Sequence, residues 1–224
     1  MNFEAILFDC DGVLVDSETI THQVLRKKLG EAGWQLSLDE CMRIFIGKMV
    51  RDEAALIERM TGQPLTDAWM NDFRTRRNDA LERELEAIPG ATAAVAALHA
   101  AYGGRIACAS GADRPKIELQ LRKVGLFDLF ASRIFSGQEM ARSKPAPDVY
   151  LAAAAALGVD PRHCAVIEDT PTGVAAGVAA GATVFGFSPG GPSHGSAESL
   201  KNAGAATVFA DMAALPAVLA AWQR

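Results

Sequence analysis

The chain has 224 residues, with 22 lysines and arginines against 27 aspartates and glutamates, a formal charge of −5, and hydrophobic residues making up 50% of the total. That length can bury a sizeable core in one or two domains, and the acidic balance argues against a nucleic-acid partner, whose binder would carry a basic footprint. The most apolar stretch, residues 173–187, is shorter than the roughly 20 residues of a membrane span, and Glu4 falls where a signal peptide would need a positive region, so a cytoplasmic protein with no membrane partner is expected.

In chain order, Ile6-Leu7-Phe8 reads as a buried strand. It runs into Asp9-Cys10-Asp11-Gly12. If the chain is still extended there, Asp9 and Asp11 leave on one face and Cys10 enters the core, and Gly12 lets the backbone turn away. Two anions side by side call for a cation, and open parallel sheets bind ligands at the carboxyl ends of their strands. A surface turn would also use Asp and Gly, so this motif needs support from elsewhere in the chain.

From residue 17 to residue 88 only helical patterning is found. Ile20, Val24, Leu25 and Leu29 form one stripe, Ser37 and Glu40 a capping box, and Phe73, Leu81, Leu85 and Ile88 another buried face. Arg74, Arg76 and Arg77 read as a solvated helix face. Pro89-Gly90 closes this region. Beyond it, strands at 105–109, 165–167 and 183–187 alternate with Ala-rich helices, which implies a parallel sheet. The strand bearing Asp9 must join that sheet. The expected architecture is therefore an α/β, Rossmann-like core of residues 1–16 plus 89–224, with helices flanking a parallel sheet and an all-helical domain, 17–88, inserted after the first strand. An insertion starting so close to Asp9 is expected to act as a lid.

Three segments support the first motif. Residues 105–111 are an apolar strand ending in Ser110-Gly111; Lys144 directly precedes Pro145-Ala146-Pro147; and Ala165-Val166-Ile167 is a strand ending in Glu168-Asp169. Taken singly, Ser110-Gly111 could be a turn, Lys144 a solvated side chain, and Glu168-Asp169 acids favoured at the start of a helix running from Thr170 to Gly177. Their joint occurrence at successive strand ends favours a site. Four cysteines without a CxxC pair read as buried, reduced thiols, and the four histidines show no metal-ligand spacing.

Together the four segments resemble the signature motifs of the haloacid dehalogenase superfamily of phosphohydrolases, over essentially the whole chain. DCDGVLVDSE is similar to the branch of sugar phosphatases and beta-phosphoglucomutases that includes 6-phosphogluconate phosphatases. The resemblance implies that Asp9 is the nucleophile, Asp11 the general acid and base, and Ser110, Gly111 and Lys144 the phosphate binders. It also implies Mg2+ at the acidic set Asp9, Asp11, Glu168 and Asp169, with Glu168 reaching the ion directly or through water.

The implied reaction is hydrolysis of a small phosphorylated metabolite (a sugar, polyol or sugar-acid phosphate) through an aspartyl-phosphate. Elementary electrostatics agrees, because a carboxylate meeting a phosphate dianion is repelled by about 4 kcal/mol per charge pair at about 4 Å and an effective dielectric of about 20. A magnesium ion and Lys144 would neutralise that repulsion. In the resembling branch a loop of the inserted domain selects the substrate. Its best match is residues 47–51, where Arg51 or Lys48 is expected to hold a remote anionic group; the competing reading is two ordinary exposed cations. The alternatives are a mutase, whose first inserted helix carries a histidine where this chain has Thr21 followed by His22, and a dehalogenase, which has no use for the extra carboxylates. A monomer is expected.

Overall fold

The computed structural model describes residues 2–191 and 193–223. Six strands, β1 (Ala5–Phe8), β2 (Ile106–Ser110), β3 (Ile134–Ser136), β4 (Cys164–Glu168), β5 (Thr183–Phe187) and β6 (Thr207–Phe209), form one sheet in the order β3-β2-β1-β4-β5-β6, every pair parallel. The helices are α1 (Glu18–Glu31), α2 (Leu38–Phe45), α3 (Ala54–Thr61), α4 (Asp67–Glu84), α5 (Ala91–Ala101), α6 (Arg114–Lys123), α7 (Phe127–Phe130), α8 (Asp148–Ala156), α9 (Pro171–Ala179), α10 (Ala197–Asn202) and α11 (Leu215–Ala221). The α/β, Rossmann-like expectation holds. No helix among the described residues is long and apolar enough to cross a membrane.

The chain divides into two compact units, Met1–Asp16 with Glu86–Arg224, and Ser17–Leu85. The sequence reading closed the helical segment at residue 88, whereas the structure closes it at Leu85. The return to the sheet unit begins where Asp16 N–H donates to Glu86 O and Ile88 N–H donates to Leu14 O, which ties Ile88 to the sheet unit.

In the sheet unit, alternate residues of the short buried strands face opposite layers. Ala5 and Leu7 join Ala107, Ala109, Val166 and Val184 in a core cluster with Val149, Tyr150 and Ala153 of α8 and Val174 and Ala176 of α9. On β1, Phe8 meets Phe130 edge-on at 5.9 Å. Helix α9 sits close to the strands because Gly177 carries no side chain: a Cβ there would stand 2.7 Å from Val184 Cγ2 and 3.2 Å from Val166 Cγ1. The sequence reading missed β3 and β6, which are three-residue strands at the two edges of the sheet.

The helical unit has its own core of Leu25, Leu29, Trp34, Cys41, Phe45, Ile57, Met70 and Phe73, with Val24 packed against it. Ser37 and Glu40 form the expected capping box at the start of α2. Within this unit, Lys28 is buried between the Asp72 carboxylate and the face of Trp69, 4.7 Å from the ring centroid. All four cysteines are free and buried.

Gly177→Ala is expected to destabilise the protein by about 1–3 kcal/mol through overpacking between α9 and the sheet, read as a lower urea midpoint at unchanged slope. An unchanged midpoint would contradict the close approach of α9.

Candidate active site

The site follows from the register of the central strands. Phe8 of β1 pairs with Ile167 of β4, and Asp9 continues the ladder by donating its N–H to Ile167 O at 3.0 Å. The residues next along the two strands are Asp9 on one and Glu168-Asp169 on the other, so a parallel sheet in this register places three carboxylates side by side at its carboxyl edge. The order β3-β2-β1-β4-β5-β6 puts this edge at the point where the strand order reverses, the crevice where such sheets bind ligands. Among the described residues, Asp9, Glu168 and Asp169 each offer one carboxylate oxygen to a group whose three atoms lie within 4.8 Å of one another.

The loop after Asp9 is a compact turn. The Cys10 carbonyl accepts from the N–H groups of Leu14 and Val15, and Gly12 takes a φ of 74°. A side chain at Gly12 would be strained by that φ and would collide with the Asp169 carboxylate. Asp169 thus rests directly on the backbone of the turn that follows Asp9. On the other strand, Thr170 caps α9 by accepting from Gly173 N–H, and a side chain at Gly173 would strike Glu168. Both glycines are cradles for acids.

Glu168 is 1% exposed and fully engaged. One oxygen accepts from Lys144 Nζ (2.7 Å) and the Tyr150 hydroxyl (2.8 Å); the other accepts from the N–H groups of Asp169 and Thr170 and from the Thr170 hydroxyl. Five donors on one buried carboxylate make it the anchor of the cluster. Lys144 Nζ also donates to Asp9 (2.7 Å), the Ala109 carbonyl (3.0 Å) and Tyr150 (3.0 Å).

Burial would lower the affinity of Lys144 for its proton, but the Asp9 and Glu168 carboxylates more than offset this and hold the ammonium well above its ordinary range. Asp9 is raised as well, which for an acid favours the neutral form. Burial, with Glu168 and Asp11 adding to it and Lys144 opposing, pushes its carboxyl up to about 7.

Asp11 was grouped with the acidic set from sequence, and the structure turns its carboxylate to other partners. Asp11 Oδ1 lies 2.7 Å from Lys116 Nζ and accepts from Gln120 Nε2 at 2.7 Å. Ser110 ends β2 buried, its hydroxyl accepting from Ala112 N–H at 3.1 Å, and among the described residues no atom beyond its chain neighbours lies within 4 Å of a Cβ built at Gly111. This loop is backed by Ser136, paired with Ser110 across the sheet, whose hydroxyl donates to the Ala112 carbonyl at 2.6 Å. Arg51 lies in the helical unit, half-exposed and paired with Asp67 at 2.7 Å, and Lys48 pairs with Glu53 at 2.9 Å.

Sequence reasoning overlooked three participants, Tyr150, Lys116 and Gln120. Tyr150 lies six residues beyond Lys144, on the helix that Pro147 opens, and its hydroxyl touches both Lys144 and Glu168. Lys116 and Gln120 are four residues apart on α6, a spacing that puts them on one face.

Three carboxylates gathered at the edge of a parallel sheet, a buried lysine on two of them, and a small hydroxyl-bearing loop on the neighbouring strand are chemically suited to handling a phosphate group. Residues 3–181 match the haloacid dehalogenase-like hydrolase family. The chain is 30% identical over 185 residues to 6-phosphogluconate phosphatase from Escherichia coli (strain K12), covering 82% of each protein. It is 32% identical over 187 residues to hexitol phosphatase A of the same organism, covering 83% of each. Among solved structures, a HAD family hydrolase from Deinococcus radiodurans R1 with bound phosphate and sodium superimposes with a TM-score of 0.76 at 39% identity, covering 98% of this chain and 96% of that one. The chain belongs to the haloacid dehalogenase-like hydrolases and is a phosphatase of that family.

Proposed function

We propose that this phosphatase hydrolyses the phosphate monoester of a sugar, polyol or sugar acid through a phosphoaspartate on Asp9, with Mg2+ held by Asp9 and Asp169 beside Glu168. The observation that carries the reading is the convergence of Asp9 and Asp169 within one oxygen-only cluster, with Lys144 at 2.7 Å from Asp9. The donor set suits a hard divalent ion, since every ligand atom is a carboxylate oxygen. Charge supports it as well. Lys144 pairs with Asp9 and Glu168 and Lys116 with Asp11, and a dication would add positive charge to this acidic cluster. Bound there, the ion supplies charge neutralisation and polarises a phosphoryl oxygen.

The residues divide the work. An Asp9 carboxylate oxygen attacks phosphorus in line, the bond to the leaving oxygen breaks, and Asp11 gives that oxygen its proton. Water then attacks the phosphorus of the phosphoaspartate, Asp11 takes the proton back, and free Asp9 and inorganic phosphate are regenerated. Lys144, held by Glu168 and Tyr150, stays charged beside the nucleophile and faces the incoming phosphate dianion. Ser110 and the backbone at Gly111 and Ala112 supply the remaining donors.

The mutase reading draws no support from the first helix of the inserted region. The His22 ring is buried and bonded to the Glu18 carbonyl at 2.7 Å, with the Glu18 carboxylate at 3.3 Å. A histidine engaged in this way is occupied within its own helix.

Asp9→Asn is expected to lower kcat by about a thousandfold or more and to leave no phosphoprotein in acid-quenched mass spectra; retained turnover would rule out covalent catalysis at Asp9. Because the Asp9 carboxyl sits at about 7 in the metal-free protein, a proton and Mg2+ compete for it. The apparent affinity for Mg2+ should rise about tenfold per pH unit below pH 7 and level off above it, with proton release visible by calorimetry in buffers of different ionisation enthalpy. An affinity independent of pH between about 6 and 8 would contradict competition between a proton and the ion at Asp9.

A further inference from the structure

The acid–base residue must present its carboxylate at a fixed angle, because it serves the leaving oxygen in one step and water in the next. Asp11 lies on the turn after β1, against helix α6. Helix α6 supplies the constraint. Asp113 caps the helix by accepting from Lys116 N–H at 3.2 Å, which sets the first turn. Lys116 and Gln120 then lie one turn apart on the same face, buried at 5% and 0% exposure.

Both side chains converge on a single atom, Asp11 Oδ1, each at 2.7 Å. With Oδ1 held by two donors, the direction of the other oxygen is set as well. Gln120 is itself oriented: its Oε1 accepts from Cys10 Sγ at 3.4 Å, so the amide N–H groups face Asp11. Cys10 lies between Asp9 and Asp11 in sequence, so the helix and the nucleophile turn are joined at two points. A buried lysine and a buried glutamine would be costly to bring out of water without such partners.

We propose that Lys116 and Gln120 are positioning residues for the Asp11 carboxylate, a role that rests on Asp11 being the general acid and base. They touch Asp11 and are assigned no contact with the reacting phosphate. The ammonium adds charge and the amide adds direction, and the two are not interchangeable.

The test is a leaving-group series. For aryl phosphates, kcat/KM reports formation of the phosphoenzyme, which needs an acid when phenolate leaves and scarcely any when 4-nitrophenolate leaves. The ratio of kcat/KM for 4-nitrophenyl phosphate to that for phenyl phosphate should widen about tenfold or more in Lys116→Met and in Gln120→Met, part of the effect of losing a general acid. Lys116→Arg, which retains charge and donors, should restore most of the wild-type ratio, and Lys116→Gln serves if the Met variant does not fold.

Asp11→Asn is run beside them to separate two failures. If it widens the ratio and the Lys116 and Gln120 variants do not, the positioning role is overturned while the acid role of Asp11 stands. If Asp11→Asn leaves the ratio unchanged, the acid assignment fails and takes this inference with it. A uniform loss on both substrates in the Lys116 and Gln120 variants, not rescued by Lys116→Arg, would mark the two residues as structural only.

Discussion

Everything at this site depends on the parallel pairing of β1 with β4. A register in which Phe8 faces Ile167 forces Asp9 next to Glu168 and Asp169, and none of the three can withdraw, because each sits at a strand end with a buried apolar run behind it. The fold therefore builds in a local concentration of negative charge, and the rest of the site can be understood as the means of tolerating it. The pressure is visible in Asp9, whose carboxyl is pushed up to about 7 by burial and by its acidic neighbours. A carboxyl so poised changes its protonation near neutrality, so a dication binding there would displace a proton.

Two lysines share the compensation, and they do so differently. Lys144 is locked into the cluster by Asp9, Glu168, Tyr150 and a main-chain carbonyl. Its position is set by Glu168, which is in turn set by the start of α9: Thr170 and the N–H of Asp169 hold one carboxylate oxygen while Gly173 makes room for the group. The helix that follows β4 thus orients the lysine that meets Asp9. Lys116 comes from α6, on the far side of β1, and meets Asp11. Each lysine is paired with a helix start, and the central turn between Asp9 and Val15 is held from both sides.

Much of this was legible in the sequence. The longer strands show as continuous apolar runs, the capping box at Ser37 and Glu40 marks a helix start, and the paired acids at 9 and 11 and at 168 and 169 stand out because carboxylates rarely end buried strands without a reason. The edge strands β3 and β6 were invisible, since three residues carry too little pattern to separate from a loop. Lys116 and Gln120 were invisible for another reason: on a helix of low apolarity, a lysine and a glutamine one turn apart look like a solvated face, and only the docking of α6 against the turn after Asp9 reveals that they are buried. Tyr150 is a similar case, reading as a core aromatic until its hydroxyl is seen on Glu168. Glu168 itself was marked as a metal neighbour, and sequence could not show that five donors already surround it.

The most direct test of the central claim is a crystal structure of the protein with beryllium trifluoride and Mn2+, the cation located by its anomalous signal. The account predicts a trifluoroberyllate adduct on a carboxylate oxygen of Asp9, with manganese bound by Asp9 and Asp169 and the fluorines facing Lys144 and Ser110. Manganese bound away from the β1 and β4 strand ends, or an adduct on any other side chain, would contradict it.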